Sequence, residues 1–180
     1  MGVTIKDGKG SGREAEVNSS YALVAAATVS EEAHAAALAG LAFTWANATY
    51  DYDAADTILL VRNESRDYDL VITDIWYWSD TETEVDVQCP TATFTIAGTA
   101  VTGVNTNRKS SIVAPATSKC DETGNVKGVI VYALRAAADR EYHYDTRGML
   151  ILGNDQAVGV DYVTAGAEAH VTIAGYFKKI

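Results

Sequence analysis

The sequence predicts an all-β fold, and three observations carry that prediction. Runs of β-branched and aromatic residues recur from residue 56 to the end, and polar turn residues separate them. One run, residues 82–89, alternates apolar and polar side chains as a half-buried strand does. In it, Val85, Val87 and Cys89 face one way. The spacing of the runs gives about ten strands, which is typical of a β-sandwich or barrel.

The stretch at 30–40 departs from the strand pattern and predicts one short helix. Ser30 can cap its N-terminus, alanines fill its turns, and Gly40 ends it. We interpret residues 1–30 as an extended N-terminal arm and residues 31–180 as the sandwich domain. A chain of 180 residues is long enough to bury a core of its own.

The N-terminal arm begins with the glycine-rich stretch VTIKDGKGSG. A phosphate-binding loop would need Ser or Thr directly after its lysine, but Lys9 is followed by Gly10. Residues 15–29 after this stretch are expected to be extended. Val3 and Ile5 alternate as an added strand would, and the glycines would act as a hinge. We therefore expect the arm to dock on another subunit through these two side chains.

Expected strand positions follow from the apolar runs between turn residues. A loop is expected at 118–125, where the residues are polar. In the last strand, Val171, Ile173 and Phe177 fall on one face, and Gly175 lies where a side chain is missing. In chain order the expected strands are 56–63, 70–78, 82–89, 91–98, 99–104, 111–116, 126–136, 141–145, 148–153, 157–163 and 169–179.

The strongest local feature is the aromatic run Ile75-Trp76-Tyr77-Trp78. On a strand, Trp76 and Trp78 point to one face, while Ile75 and Tyr77 point to the other. Two tryptophans so placed can fill a core, anchor a subunit interface or stack on sugar rings. We take Trp76 and Trp78 as candidates for a subunit interface.

The charge of the chain argues against a nucleic acid partner. The formal net charge is −10, and the only adjacent basic pairs are Arg108-Lys109 and Lys178-Lys179. Such a surface repels a phosphate backbone unless a basic patch overrides it. No stretch is long enough to span a bilayer, and the apolar residues 22–29 follow acidic residues rather than a basic start. We therefore expect no membrane partner and no signal peptide, with synthesis in a cytoplasm.

Cysteines and histidines predict no metal site. Cys89 and Cys120 lie in no CxxC or Cys/His spacing, so we expect two reduced thiols, with a single disulfide as the alternative. His34, His143 and His170 lie in three separate predicted elements without an HxH or HExxH spacing. We expect them at the surface or at the rim of the core.

Acidic and nucleophilic residues likewise predict no catalytic centre. The clusters at 51–56 and 67–69 lack the DxDxDG pattern of a calcium loop, so solvated turn aspartates are expected there. No GxSxG motif occurs, and Ser110-Ser111 has no motif around it. A carboxylate pair for glycoside hydrolysis is defined by distance in space, which a sequence does not contain. We expect no enzyme activity and no cofactor.

Two stretches of the chain resemble small structural proteins of tailed-phage virions. TIKDGKGSGREAEVNSSYALVA is similar to the pattern "IxDGxGxGxxAxVxSxxxLxV", with Ala25 in place of its last valine. LLVRNESRDYDLVI resembles a second pattern, "LLVKNxSxxxxLxI", with Arg62 at the lysine. The helix-like stretch at 30–40 has no counterpart in this pattern.

The resemblance implies a jelly-roll-like β-sandwich that serves as a head decoration, or cement, protein. Such proteins assemble as trimers on the capsid surface and bridge subunits of the major capsid protein. The expected interface residues are then Val3, Ile5, Trp76 and Trp78, and the expected location is the virion. A tail or fibre-adaptor component is the nearest alternative. From another class, a carbohydrate-binding module would use both tryptophans and nearby Tyr77.

Overall fold

The computed structural model describes residues 3–6, 14–17, 28–47, 56–90, 98–123 and 128–180. These residues form one helix and thirteen strands. In chain order the elements are β1 (Val3–Lys6), β2 (Glu14–Val17), α1 (Thr28–Leu38), β3 (Ala42–Ala46), β4 (Asp56–Asn63), β5 (Tyr68–Ser79), β6 (Thr83–Cys89), β7 (Thr99–Ala100), β8 (Val104–Asn105), β9 (Ala116–Thr123), β10 (Val129–Ala136), β11 (Arg140–Leu152), β12 (Ala157–Tyr162) and β13 (Ala169–Lys179).

Two antiparallel sheets form the body of the molecule. The five-stranded sheet has the order β11-β5-β13-β3-β8, and the six-stranded sheet has the order β10-β6-β12-β4-β9-β7. Consecutive strands alternate between the sheets from β3 to β6 and again from β10 to β13, while β6 and β10 pair within one sheet. This is the double Greek key of a jelly roll, with β7, β8 and β9 inserted between β6 and β10. The prediction of an all-β, jelly-roll-like sandwich is confirmed.

The core lies between the two sheets. Trp45 and Tyr162 are the largest of its fully buried side chains. Of the inward positions expected in β6 and β13, Cys89 is partly buried against the core, and the following side chains are fully buried: Val85, Val87, Val171, Ile173 and Phe177. A β-carbon at Gly175 would lie 2.6 Å from the carbonyl oxygen of Val71, which explains the missing side chain there.

Helix α1 ends as the sequence predicts but begins earlier. Gly40, with a φ of +74°, follows the last turn, and its N–H donates to the carbonyl of Ala37. The N–H of Leu41 donates to the carbonyl of Ala36, which completes a Schellman motif. The helix starts at Thr28, so Ser30 lies inside it and is not its cap. The expectation of extended chain up to residue 29 is therefore wrong at its last two residues.

Two predictions inside the sandwich are wrong, and one strand was missed. The segment 111–115 is not a strand, and Ala116–Thr123, which was expected to contain a loop, is β9. Its polar sequence is extended because it pairs along the whole of apolar β4. Strand β3 was not predicted, since five residues with two alanines give little signal. It forms because Phe43 and Trp45 fill the core.

The strands expected at 141–145 and 148–153 are one continuous strand, β11. The interruption is a bulge at residues 146–149, where Arg147 and Gly148 have positive φ. The buried Thr146 hydroxyl donates to the carbonyls of Ile72 and Thr73 in β5 and holds this bulge on its neighbour.

Strands β1 and β2 form a separate two-stranded antiparallel sheet. Val3 pairs with Val17, and Ile5 pairs with Ala15, so this part of the arm pairs within its own chain. Docking of Val3 and Ile5 on another subunit stays a prediction. The glycine-rich connection between the strands lies outside the described residues, and so does the strand expected at 91–98 except for its last residue, Gly98.

Candidate functional site

Strand β5 places its aromatic run across the five-stranded sheet. Ile75 and Tyr77 are buried in the core, and Trp76 and Trp78 lie on the outer face, where both are partly exposed. The alternation predicted for these four residues is confirmed, and neither outer tryptophan belongs to the core. Trp45, which the sequence did not single out, is the core tryptophan.

Helix α1 covers one half of this outer face. Its small side chains, including Ala36, pack on Val71 of β5 and Tyr176 of β13. Glu32 pins the helix to the sheet: it accepts hydrogen bonds from the Lys178 ammonium at 3.0 Å and from the Tyr176 hydroxyl at 3.2 Å. The Lys178 hydrogen bond is the main cause of a lowered pKa for Glu32, and the same bond raises the pKa of Lys178.

The other half of the outer face carries the two tryptophans, and we call it the tryptophan face. Trp76 lies opposite His143 of β11 in the strand register. The two rings are stacked, with centroids 4.8 Å apart and planes 14° from parallel. His143 Nε2 lies 2.7 Å from Asp74 Oδ1. A stack and a hydrogen bond together therefore fix the orientation of the imidazole.

Trp78 forms the second row of the tryptophan face. It lies between His170 of β13 and Glu141 of β11 in the register. Its ring centroid is 5.3 Å from that of His170, with the planes tilted by 54°. Shallow, open depressions lie beside Trp78, and Thr172 contributes a hydroxyl to the one between the tryptophans. The face thus combines indoles with groups that donate and accept hydrogen bonds.

A second exposed feature lies along one side of the sandwich. Strands β10 and β11 are the terminal strands of their sheets in the described part of the chain. The first three residues of β10 are apolar and all exposed, and Val129 shares an open groove with Ile151 of β11. We call Val129, Ile130, Val131 and Ile151 the edge strip.

The structure distributes the other candidate residues as follows. His143 and His170 lie together on the tryptophan face, whereas His34 is exposed on α1. Cys89 and Cys120 are both free cysteines, and burial raises the pKa of Cys89. No disulfide joins them in the structure, and their reduced state stays a prediction. Among the described residues, no three His, Cys, Asp or Glu side chains are grouped in a way that could hold a metal ion.

Sequence reasoning missed the neighbours of the tryptophans. His143 and Glu141 alternate with Tyr142 along β11, and His170 occupies an outward position of β13. This alternation could have assigned each residue to an outer face. Their proximity to Trp76 and Trp78 depends on strand register, for which no local signal exists.

Comparisons with known proteins give no match: no protein family model, no curated protein and no solved structure corresponds to this chain. Within the described residues, no helix has the length and apolar character needed to cross a membrane. The resemblance to phage virion proteins therefore stays a prediction.

Proposed function

We propose that this protein is a structural component of a phage particle, and in particular a head decoration protein that bridges subunits of the major capsid protein. The observation that carries the proposal is the edge strip, an apolar surface at the exposed edges of a jelly roll. Double-sheet jelly rolls are common in viral shells, and the sequence patterns at the N-terminus and around Arg62 support the same class.

The edge strip is suited to burial against another subunit. Sheet edges of monomeric proteins are usually protected by charges, prolines or bulges, because an open edge pairs with other chains. Here Val129 is 66% exposed and Ile130 is 51% exposed, and the first three residues of β10 carry no charge or proline, although a bulge at Val131 interrupts the pairing of β10 with β6. The groove beside Val129 also contains Ile151 of β11, the terminal strand of the other sheet, together with Asp155. Assembly would remove this apolar surface from water, as the hydrophobic effect favours.

Charge substitutions in the edge strip test this proposal. We expect Val129→Asp combined with Ile151→Asp to weaken self-association or particle attachment by about tenfold or more, because a buried contact would gain unpaired carboxylates. Analytical ultracentrifugation measures the first, and co-sedimentation with particles measures the second. Val113→Asp is the matched control, since Val113 is 77% exposed outside the strip. Unchanged assembly of the double variant would contradict the role of the strip.

Copy number distinguishes the positions within a particle. Quantitative mass spectrometry of purified particles gives the ratio of this protein to the major capsid protein. A ratio near that of the shell protein is expected for a decoration protein, and a few copies would favour a tail or fibre-adaptor component. Absence from particles would overturn the virion proposal.

A further inference from the structure

We propose that the tryptophan face is a binding site for a neutral saccharide, a role independent of the virion proposal. Helix α1 packs over Val71 and Tyr176 on the other half of the sheet, and Trp76 and Trp78 are left partly exposed. Two outward indoles two residues apart on one strand place two aromatic rings on the same side of the sheet, and we call them the platform.

The platform is held in place before any ligand binds. Trp76 is stacked on His143, which Asp74 anchors from the side, and Trp78 packs against His170. Side chains already restrained in this way lose little conformational freedom on binding. The depressions beside them are shallow and open, which suits an elongated or terminal sugar better than an enclosed small molecule.

The polar groups around the indoles match the chemistry of a saccharide. Apolar C–H faces of sugar rings can pack on indole, while ring hydroxyls need both donors and acceptors. Glu141 supplies a carboxylate acceptor, Thr172 supplies a hydroxyl, and His170 supplies an imidazole. Specific sites commonly combine aromatic surface with a few convergent polar groups in this manner.

Charge and composition favour a neutral saccharide over other occupants. The acidic Asp74 and Glu141 on a chain of net charge −10 disfavour nucleic acids and acidic glycans. A protein partner is disfavoured for a different reason. Among the described residues, neither tryptophan is paired in the strand register with an exposed aliphatic side chain: Trp76 pairs with His143 and Thr172, and Trp78 pairs with Glu141 and His170. The tryptophan face and the edge strip therefore differ in the chemistry that they offer.

A glycan microarray carrying neutral and acidic oligosaccharides provides the test, followed by calorimetry with the best neutral probe. We expect binding to neutral probes, with an affinity loss of about tenfold or more for Trp78→Ala and for Trp76→Ala. Trp78→Phe should retain part of the affinity because it keeps an aromatic face. Arg135→Ala, on the other sheet, is the matched control and should bind as wild type.

Each result decides the proposal. Loss of binding counts as support only where the melting temperature of the variant stays near that of wild type. Should both alanine variants unfold, His170→Ala and Trp78→Phe replace them. No binding by the wild-type chain to any neutral probe overturns the proposal, and so does equal binding by folded tryptophan variants. A changed oligomeric state in those variants, without saccharide binding, would reassign the face to a protein contact.

Discussion

The outer face of the five-stranded sheet has two halves that differ in solvent exposure. Under α1, the sheet presents Val71 and Tyr176, both nearly inaccessible to solvent, to the small side chains of the helix. Beyond the helix, it presents Trp76 and Trp78, which are partly exposed and pack against histidines. One half therefore buries its apolar surface within the chain, and the other keeps aromatic surface available. The contrast separates residues that the helix covers from residues that stay partly exposed.

The boundary between the halves is a bulge in β5. Ile72 pairs with Gly175, and Ile75 pairs with Ile173, so β5 contains one residue more than β13 over this interval. Because of the extra residue, even-numbered residues of β5 face the core before the bulge and odd-numbered residues face it afterwards. Leu70 and Ile72 point inward before it, and Ile75 points inward after it. Without the bulge, regular alternation from Ile72 would carry both tryptophans of β5 into the core.

Deletion of Thr73, the extra residue of this bulge, should cause the largest loss of stability. The deletion restores regular alternation, so either both outer tryptophans or Leu70 and Ile72 must change faces. We expect a loss of about 4 kcal/mol or more, or failure to fold, because core packing on one side of the bulge is destroyed. Urea denaturation measures it. Deletion of Arg108, an exposed turn residue, is the control. If the two deletion variants were equally stable, the bulge would not determine which residues of β5 face the core.

A charge placed under the helix should have the next largest effect. Val71 is 3% exposed beneath α1, so Val71→Asp buries an unpaired carboxylate or displaces the helix, at a cost of about 3 kcal/mol. Ala46→Asp is the matched control, because Ala46 is exposed on the same face beyond the helix, and it should change stability by less than about 0.5 kcal/mol. The free energy of unfolding in urea measures both. Similar losses of stability in the two variants would mean that α1 does not cover one half of the face more than the other.

The smallest expected effect concerns the hydrogen bonds from Lys178 and Tyr176 to Glu32, which we call the pin between α1 and the sheet. The pKa of Glu32 is lowered in the folded protein, so its contribution is present above its ordinary value of 4.5 and is lost as pH falls through the lowered pKa. The pKa of Lys178 is raised, so its contribution is lost only when pH rises through that raised value. Helix docking should therefore weaken in acid and at strongly alkaline pH.

Hydrogen exchange of the α1 amides, corrected for intrinsic rates, measures this docking at pH 3 and pH 7. Protection in the wild type should be lower at pH 3, and Glu32→Gln should lower protection at pH 7 and reduce its pH dependence. Glu168→Gln, an exposed carboxylate remote from the helix, is the control. If Glu32→Gln keeps the full pH dependence, the pin does not govern the docking.

Much of the fold could be predicted from local sequence. The apolar runs of β4, β12 and β13 and the glycine that ends α1 encode structures that short-range chemistry specifies. The missed elements are those whose local signal is weak. Strand β9 is polar and extended because it pairs with β4, and β3 is short but contributes Trp45 to the core. In both cases a partner distant in sequence supplies the stabilisation.

For the tryptophan face too, local sequence predicts one part and strand pairing decides the rest. The period of a strand is enough to place Trp76 and Trp78 on one side and Ile75 and Tyr77 on the other. The extra residue Thr73 decides which of the two pairs faces water, because it reverses the alternation of β5. Thr73 is extra only in relation to β13, which has one residue fewer over the same interval. The meeting of these tryptophans with histidines from β11 and β13 likewise depends on register. Local sequence encodes alternation, while orientation and neighbours arise from pairing between distant segments, because register is a property of two strands together.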